Sequence, residues 1–458
     1  MGERPLWTAL ERIRREDLAR FYMPGHKGRM PVPLEQAAPY DVTEIAGADS
    51  LYECTGAIRA LEEEFAEAYR VGDSLLSAGG STLCIQAMLY LARSWGSTVI
   101  CGRIIHRSAV AAMGLLGMDP CWLPARVASR AEGIPGIALP PTADDVEAAI
   151  DAHPDAGSVF ITSPDYFGQL ANIADIADVC HRRGKVLLVD NAHGAHLGCF
   201  RAALHPMSQG ADFCCDSLHK NLPALTGAAV LHLADPTYYR EAKYAMSLFG
   251  SSSPSYLIML SAENALESIT ENPGSYLELS HTVEEVRREA EMLGYDVTKS
   301  FVRDPVRLVL GFECFDHTPE SYGKFLRSRG VEPEYLGRNV CVFMFSPENT
   351  TLEIDRLRSA IAGAVKGRTR QPEPRYPSTI RLPRQILSVG EAMGRREQEL
   401  PAEMCAGRIS ARLVSSCPPG IPLLVPGEEI TSQTVKFLKA SGVSTIYVVR
   451  GALPNARR

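Results

Sequence analysis

The sequence predicts an α/β protein built on a mostly parallel central sheet, with a smaller α+β unit after it. Three observations carry this. From Ser74 to Leu231, short and nearly continuous apolar runs alternate with helical patterns, as in a sheet covered on both faces. Two of those runs, Lys185–Val189 and Ala211–Cys215, lead into chemistry-bearing residues: Asp190 after the first, Lys220 after the second. Open α/β sheets place ligand groups at the carboxyl ends of their strands. Beyond residue 300, a second series predicts strand Val306–Phe312, helix Pro319–Arg329, strand Val340–Phe345 and helix Leu352–Val365.

The chain has 458 residues, enough for more than one domain and a large core. A formal charge of −7 gives no basic footprint and argues against nucleic acid as a partner. No apolar run reaches the length of a membrane span. Residues 1–15 mix charges from the third position and lack the apolar centre of a signal peptide. The twelve cysteines are scattered, many inside apolar runs (Cys84, Cys101, Cys214, Cys215, Cys341), with no paired C-x-x-C spacing. They read as buried reduced thiols of a cytoplasmic protein, not as disulfides or metal ligands.

Residues 1–20 predict a short amphipathic helix with Leu6, Ala9, Leu10, Ile13 and Leu18 on one face. Loop follows through Phe21–Gly28, and Asp41–Leu51 continues it as mostly polar loop, either a surface extension or an arm that wraps a neighbouring subunit. Gly56–Tyr69 predicts a helix with Ile58, Leu61, Phe65 and Ala68 inward. Ser74–Ser77 reads as a strand, and Ala78–Gly79–Gly80–Ser81–Thr82 opens a helix running to about Trp95. Strand Ser97–Cys101 leads through His106 into helix Ala109–Leu116. Residues 126–141 form a connection broken by Pro and Gly, and Thr142 caps a helix to Ala152. Strand Ser158–Thr162, helix Ile173–Arg183 and strand Lys185–Val189 deliver Asp190. Ala228–Leu233 is a further strand, and Ser255–Leu293 is mainly helical. Gly367–Ser378 reads as a linker. The proline-dense run Cys417–Glu428 within the last segment reads as ordered loop. The domain expectation is an arm (1–55), a large domain (56–254), a small domain with its connecting helix (255–370) and a C-terminal domain (371–458).

An aspartate and a lysine at neighbouring strand ends are what pyridoxal 5′-phosphate requires. The lysine carries the cofactor as a Schiff base, and the aspartate keeps the pyridine nitrogen protonated so that the ring accepts electrons. Lys220 and Asp190 take these roles. His193 is placed to reach the ring's phenolic oxygen and His106 to stack on its face. Gly80, Ser81 and Thr82 open a helix whose free N–H groups suit a phosphate, and Ser217 and His219 add donors beside the lysine.

Five motifs together, Met23–Pro24–Gly25–His26–Lys27–Gly28, Pro164–Asp165–Tyr166–Phe167–Gly168, Asp190–Asn191–Ala192–His193–Gly194, Ser217–Leu218–His219–Lys220 and Pro418–Pro419–Gly420–Ile421–Pro422 with Pro426–Gly427–Glu428, resemble the bacterial ornithine/lysine/arginine decarboxylases. The likeness runs nearly end to end and matches the shorter members without an amino-terminal wing domain. The resemblance implies a fold-type I, aspartate-aminotransferase-like large domain, a small domain, a C-terminal domain and an active site at the interface of a homodimer. Three positions depart from the family pattern. Asn191 stands where glutamate is usual, Asp165 where threonine is usual, and the glutamine expected after the lysine is replaced near Thr226–Gly227.

The implied reaction is decarboxylation of arginine, lysine or ornithine to an amine and carbon dioxide. The rival readings are another fold-type I enzyme, an aminotransferase or aldolase, and a catalytically weakened or non-catalytic relative. A basic substrate calls for a carboxylate facing its distal cation. Glu44, Asp49, Glu403 and Glu428, all in family-like segments, are the candidates.

Overall fold

A computed structural model describes residues 4–15, 34–299, 302–337, 339–365, 379–380, 382–415, 422–440 and 442–451. The motif Met23–Gly28, the predicted linker Gly367–Ser378 and the stretch Cys417–Ile421 lie outside the described residues, as does Leu18. Helix α1 (Pro5–Arg15) buries Leu6, Ala9, Leu10 and Ile13 as the pattern predicts. The loop after it is less of a free arm than its polarity suggests, since Val42, Ala48 and Leu51 join the core.

The central sheet contains β1 (Asp73–Ser77), β2 (Thr98–Cys101), β3 (Asp119–Trp122), β5 (Ser158–Thr162), β6 (Val186–Asp190), β7 (Phe213–Ser217) and β8 (Ala229–Leu233), in the order β1-β8-β7-β6-β5-β2-β3. A two-residue strand β4 (Ala125–Arg126) pairs outside this sheet with Thr379–Ile380. All neighbours run parallel except around β8, which is antiparallel to both β1 and β7. Helices α2 (Ala57–Tyr69), α4 (Arg107–Leu116), α5 (Ala143–Ala152) and α6 (Ile173–Arg182) match the predicted helices within one or two residues, α3 (Gly80–Ala92) gives way to a 3-10 turn over Arg93–Trp95, and Thr142 closes a capping box with Asp145.

Two differences bear on the site. The strand predicted to end at Cys215 runs on to Ser217, so Asp216 is a strand residue with its side chain in the interior. The sequence pattern predicts neither β3 nor the helix Tyr239–Phe249; Pro120 disguises the first, and tertiary packing supports the second.

Behind the sheet, helices Tyr256–Glu271 and Gly274–Leu293 lead into a second sheet of β9 (Asp296–Val297), β10 (Arg307–Gly311), β11 (Tyr335–Leu336) and β12 (Val340–Met344), in order β11-β12-β10-β9 and antiparallel throughout. The last segment adds the paired strands Glu397–Pro401 and Thr445–Val449 and a small apolar cluster around Leu424, Ile430 and Leu438. Among the described residues, no helix is long and apolar enough to cross a membrane.

Candidate active site

The carboxyl ends of the parallel strands bring the predicted residues together. Asp190 is the last residue of β6, and Lys220 lies in the short helix Leu218–Asn221 directly after β7. The Lys220 Nζ lies 3.1 Å from Nε2 of His193. Asp190 is 3% exposed, and its Oδ1 accepts the Ala192 N–H (3.1 Å) and faces the Cys215 thiol (3.6 Å). These contacts fix one carboxylate oxygen to the protein.

Burial depresses the Lys220 pKa from its ordinary value; Asp190 opposes the shift and Arg307 reinforces it. Burial also puts the His193 pKa well below that of a free imidazole, with Lys220 and Arg307 adding to the effect. His193 is therefore neutral near pH 7, and the Lys220 amine is easier to deprotonate than a surface lysine. His106 caps α4, its Nδ1 2.7 Å from the Ser108 hydroxyl. The residue is exposed, yet surrounding atoms desolvate it enough to lower its pKa, against Asp190 and together with Lys220. The strongest electrostatic neighbours of His106 thus include both residues of the central pair.

Gly80 begins α3 with φ +68°, a conformation that favours glycine. Its N–H donates to the Gly227 carbonyl (2.8 Å), while the Gly227 N–H donates to His219 Nδ1 (3.3 Å). The Ser217 hydroxyl lies 3.3 Å from the same nitrogen. Gly80, Ser81 and Thr82 are thereby tied to the loop that carries Ser217, His219 and Lys220. A helix N-terminus with adjacent hydroxyls suits a phosphate, and the buried carboxylate at the strand end suits a pyridine N–H. His193 Nδ1 is buried without a hydrogen-bond partner. The donor set fits pyridoxal phosphate.

The substrate carboxylates need correction. Glu428 is fully buried and paired in two places with Arg103, Oε1 to Nη1 and Oε2 to Nη2 both at 2.8 Å, so it has no oxygen to offer a substrate. Asp49 is engaged by the backbone N–H groups of Ser50, Thr55, Gly56 and Ile58 at 2.9–3.1 Å, at the start of α2. Burial alone would raise its pKa, but these donors outweigh it and hold the carboxyl low. Among the described residues Glu44 bonds the Ser50 hydroxyl and Glu403 lies 3.9 Å from Lys439; neither contacts Lys220. The carboxylates acting most strongly on Lys220 are Asp190 and Glu334. Glu334, exposed just before β11, accepts the Tyr166 hydroxyl at 2.9 Å, and the Tyr166 ring packs edge-on to His193 with centroids 5.6 Å apart. An exposed glutamate 168 residues from its tyrosine leaves no local signal in the sequence.

The departures at Asn191 and Asp165 have structural accounts. Asn191 Nδ2 donates to Asp216 Oδ1 (2.6 Å), and Asp216 Oδ2 receives His205 Nε2 (3.0 Å) and lies 3.3 Å from His232 Nε2. A glutamate at 191 would set a second carboxylate against Asp216. Burial pushes the Asp216 pKa up, but the two histidines outweigh it and hold the carboxyl below its ordinary range. These three residues have metal-ligand chemistry. However, the Met207 N–H donates to His205 Nδ1 (3.4 Å), which leaves the proton on Nε2, where a metal would bind. Asp165 accepts the Phe167 and Gln169 N–H groups and the Gln169 amide, closing its own turn. Arg307 Nη1 holds the Tyr166 carbonyl from the other side (3.0 Å).

Comparison with known proteins agrees with this geometry. The family model described as Orn/Lys/Arg decarboxylase, major domain, matches residues 4–321, and its C-terminal domain matches residues 382–445. The chain is 27% identical over 462 residues to an arginine decarboxylase of Halalkalibacterium halodurans, covering 95% of this chain and 92% of that protein. It is 25% identical over 461 residues to an arginine decarboxylase of Bacillus subtilis, covering 95% and 93%. In fold it resembles the lysine decarboxylase LdcF of Francisella novicida (TM-score 0.79, 19% identity, 98% of this chain and 81% of that one). A serine palmitoyltransferase of Sphingomonas wittichii is also similar in fold (TM-score 0.56, 12% identity, 79% and 83%).

Proposed function

The chain belongs to the Orn/Lys/Arg decarboxylase family, and on that premise we propose that it removes carbon dioxide from a basic amino acid, arginine first among the three, with Lys220 as the residue that carries pyridoxal phosphate. The observation that supports this best is Lys220 beside neutral His193, with Asp190 among its strongest electrostatic neighbours.

When bound, pyridoxal phosphate supplies an electron sink for the pair left at Cα as carbon dioxide departs. The protein's part divides among its residues. Lys220, its pKa lowered by burial, presents an amine that reacts and returns. Asp190 would pair with the pyridine nitrogen and favour its proton. Gly80, Ser81, Thr82, Ser217 and His219 would hold the phosphate. His106 would cover one ring face, and His193 accepts and returns a proton at the Lys220 Nζ.

Glu334 is the carboxylate we assign to the distal cation of the substrate. Tyr166 fixes one of its oxygens, and it is the acidic side chain besides Asp190 that acts on Lys220 most strongly. A carboxylate of this kind receives a guanidinium through two parallel hydrogen bonds. The assembly in this proposal is a homodimer in a reducing, cytoplasmic compartment; the described cysteines are all free.

Carbon dioxide and amine release across arginine, lysine and ornithine tests the reaction. Stoichiometric amine supports it, whereas a keto acid or an aldehyde would replace it with transamination or aldol cleavage. E334Q is expected to raise KM for the preferred basic substrate about tenfold or more with little change in kcat, as loss of a charged hydrogen-bond pair predicts.

A further inference from the structure

His106 is held by a unit of the large domain, the β2–α4 connection, and the C-terminal segment grips that unit at both ends. At the strand end Arg103, three positions before His106, is buried with Glu428. Its Nε also donates to the Pro422 carbonyl (3.0 Å), and its guanidinium lies over Trp122, 4.8 Å from the ring centroid. Glu428 is fixed in turn by its own segment. Its Oε2 accepts the Val425 N–H (2.8 Å), and its carbonyl accepts the Ser410 N–H (2.9 Å). At the helix end α4 meets the helix Val389–Met393 through two glycines. A Cβ on Gly390 would come within 2.6 Å of the Gly114 carbonyl oxygen, and one on Gly114 would overlap Met393.

A fully desolvated ion pair is a weak source of net stability, because both charges lose their water. Its directional, two-pronged geometry is better suited to fixing a position. What it fixes here is the backbone that delivers His106. We propose that Glu428, acting through Arg103, is a positioning residue for His106, so that the C-terminal segment sets where the imidazole stands above the cofactor ring. This rests on the reading of the crevice as a pyridoxal phosphate site.

The test is the affinity of the apoprotein for pyridoxal phosphate, followed by the visible band, in wild type, E428Q, H106A and H106A/E428Q. E428Q is expected to weaken binding about tenfold in the presence of His106 and less than about twofold when position 106 is alanine. The nitrogen-15 signals of the His106 imidazole in the E428Q apoprotein are expected to shift. E397Q, at the exposed pair with Arg412 in the same segment, is expected to leave both readouts unchanged. Equal losses with and without His106, or no loss and no shift in E428Q, would overturn the proposal. R103K serves in the same cycle if E428Q does not fold. Absence of a visible band in wild type would instead defeat the cofactor reading, and the imidazole signals would still decide whether Glu428 positions His106.

Discussion

Lys220 Nζ stands 3.1 Å from His193 Nε2, and both groups have pKa values lowered first by burial. Two cations in such contact would repel, so the stable arrangement pairs a neutral imidazole with an amine that loses its proton readily. In H193A the amine loses its hydrogen-bond partner. The expected result is a fall in kcat/KM of about a hundredfold, the range of a lost proton-transfer partner. The fall should persist when the variant is saturated with pyridoxal phosphate.

Tyr166 links the crevice to Glu334, so Y166F separates the anchoring of that carboxylate from its charge. KM for the basic substrate should rise about three- to tenfold, the value of one hydrogen bond, with kcat retained. Steady-state kinetics on Y166F beside E334Q checks the order, the charge removal being the more harmful.

Asp165 and Asp216 are both fully buried carboxyls with opposite shifts. Burial raises the Asp165 pKa from 3.8 to about 6, so the folded state holds its proton more tightly than the unfolded chain does. Its contribution is complete below pH 4 and is lost as pH rises to about 6, by ~3 kcal/mol at two pKa steps. Denaturant unfolding across pH should show this decline in wild type and not in D165N. The variant pays roughly 1 kcal/mol at every pH for the lost bond to the Gln169 amide. Asp216, held low, contributes the reverse: stability present near neutrality and lost as pH falls through its depressed pKa.

Asn191 is matched to Asp216, and N191E is expected to destabilise the protein by about 3 kcal/mol, the cost of an unpaired buried charge. D216N in that background should restore most of the loss, since the carboxylate then stands on the other side of the contact. Chemical denaturation of the two single variants and the double variant measures this coupling.

Much of the site is readable from sequence because its residues follow strands of plain apolar character. Asp190 closes β6, Lys220 follows β7, and the Gly-Gly-Ser-Thr turn opens α3. The long-range pairings are not. Glu428 looks like a free acidic residue until Arg103, distant in sequence, takes both of its oxygens. Asp216 looks like a strand terminator until Asn191, His205 and His232 make it tolerable inside. Glu334 is found only because β11 carries it to Tyr166. In each case the partner comes from a different element, and spacing along the chain holds no trace of it. Within the central sheet the direction of β8 escapes for a related reason, since its apolar run has the same pattern in either direction.

The most direct test of the central claim is to load the protein with pyridoxal phosphate, reduce it with borohydride and locate the resulting pyridoxyl group by peptide mass spectrometry. The account predicts one label per chain, on Lys220, with the visible band lost on reduction and absent in K220A. A label on another lysine, or an unchanged band in K220A, would contradict it.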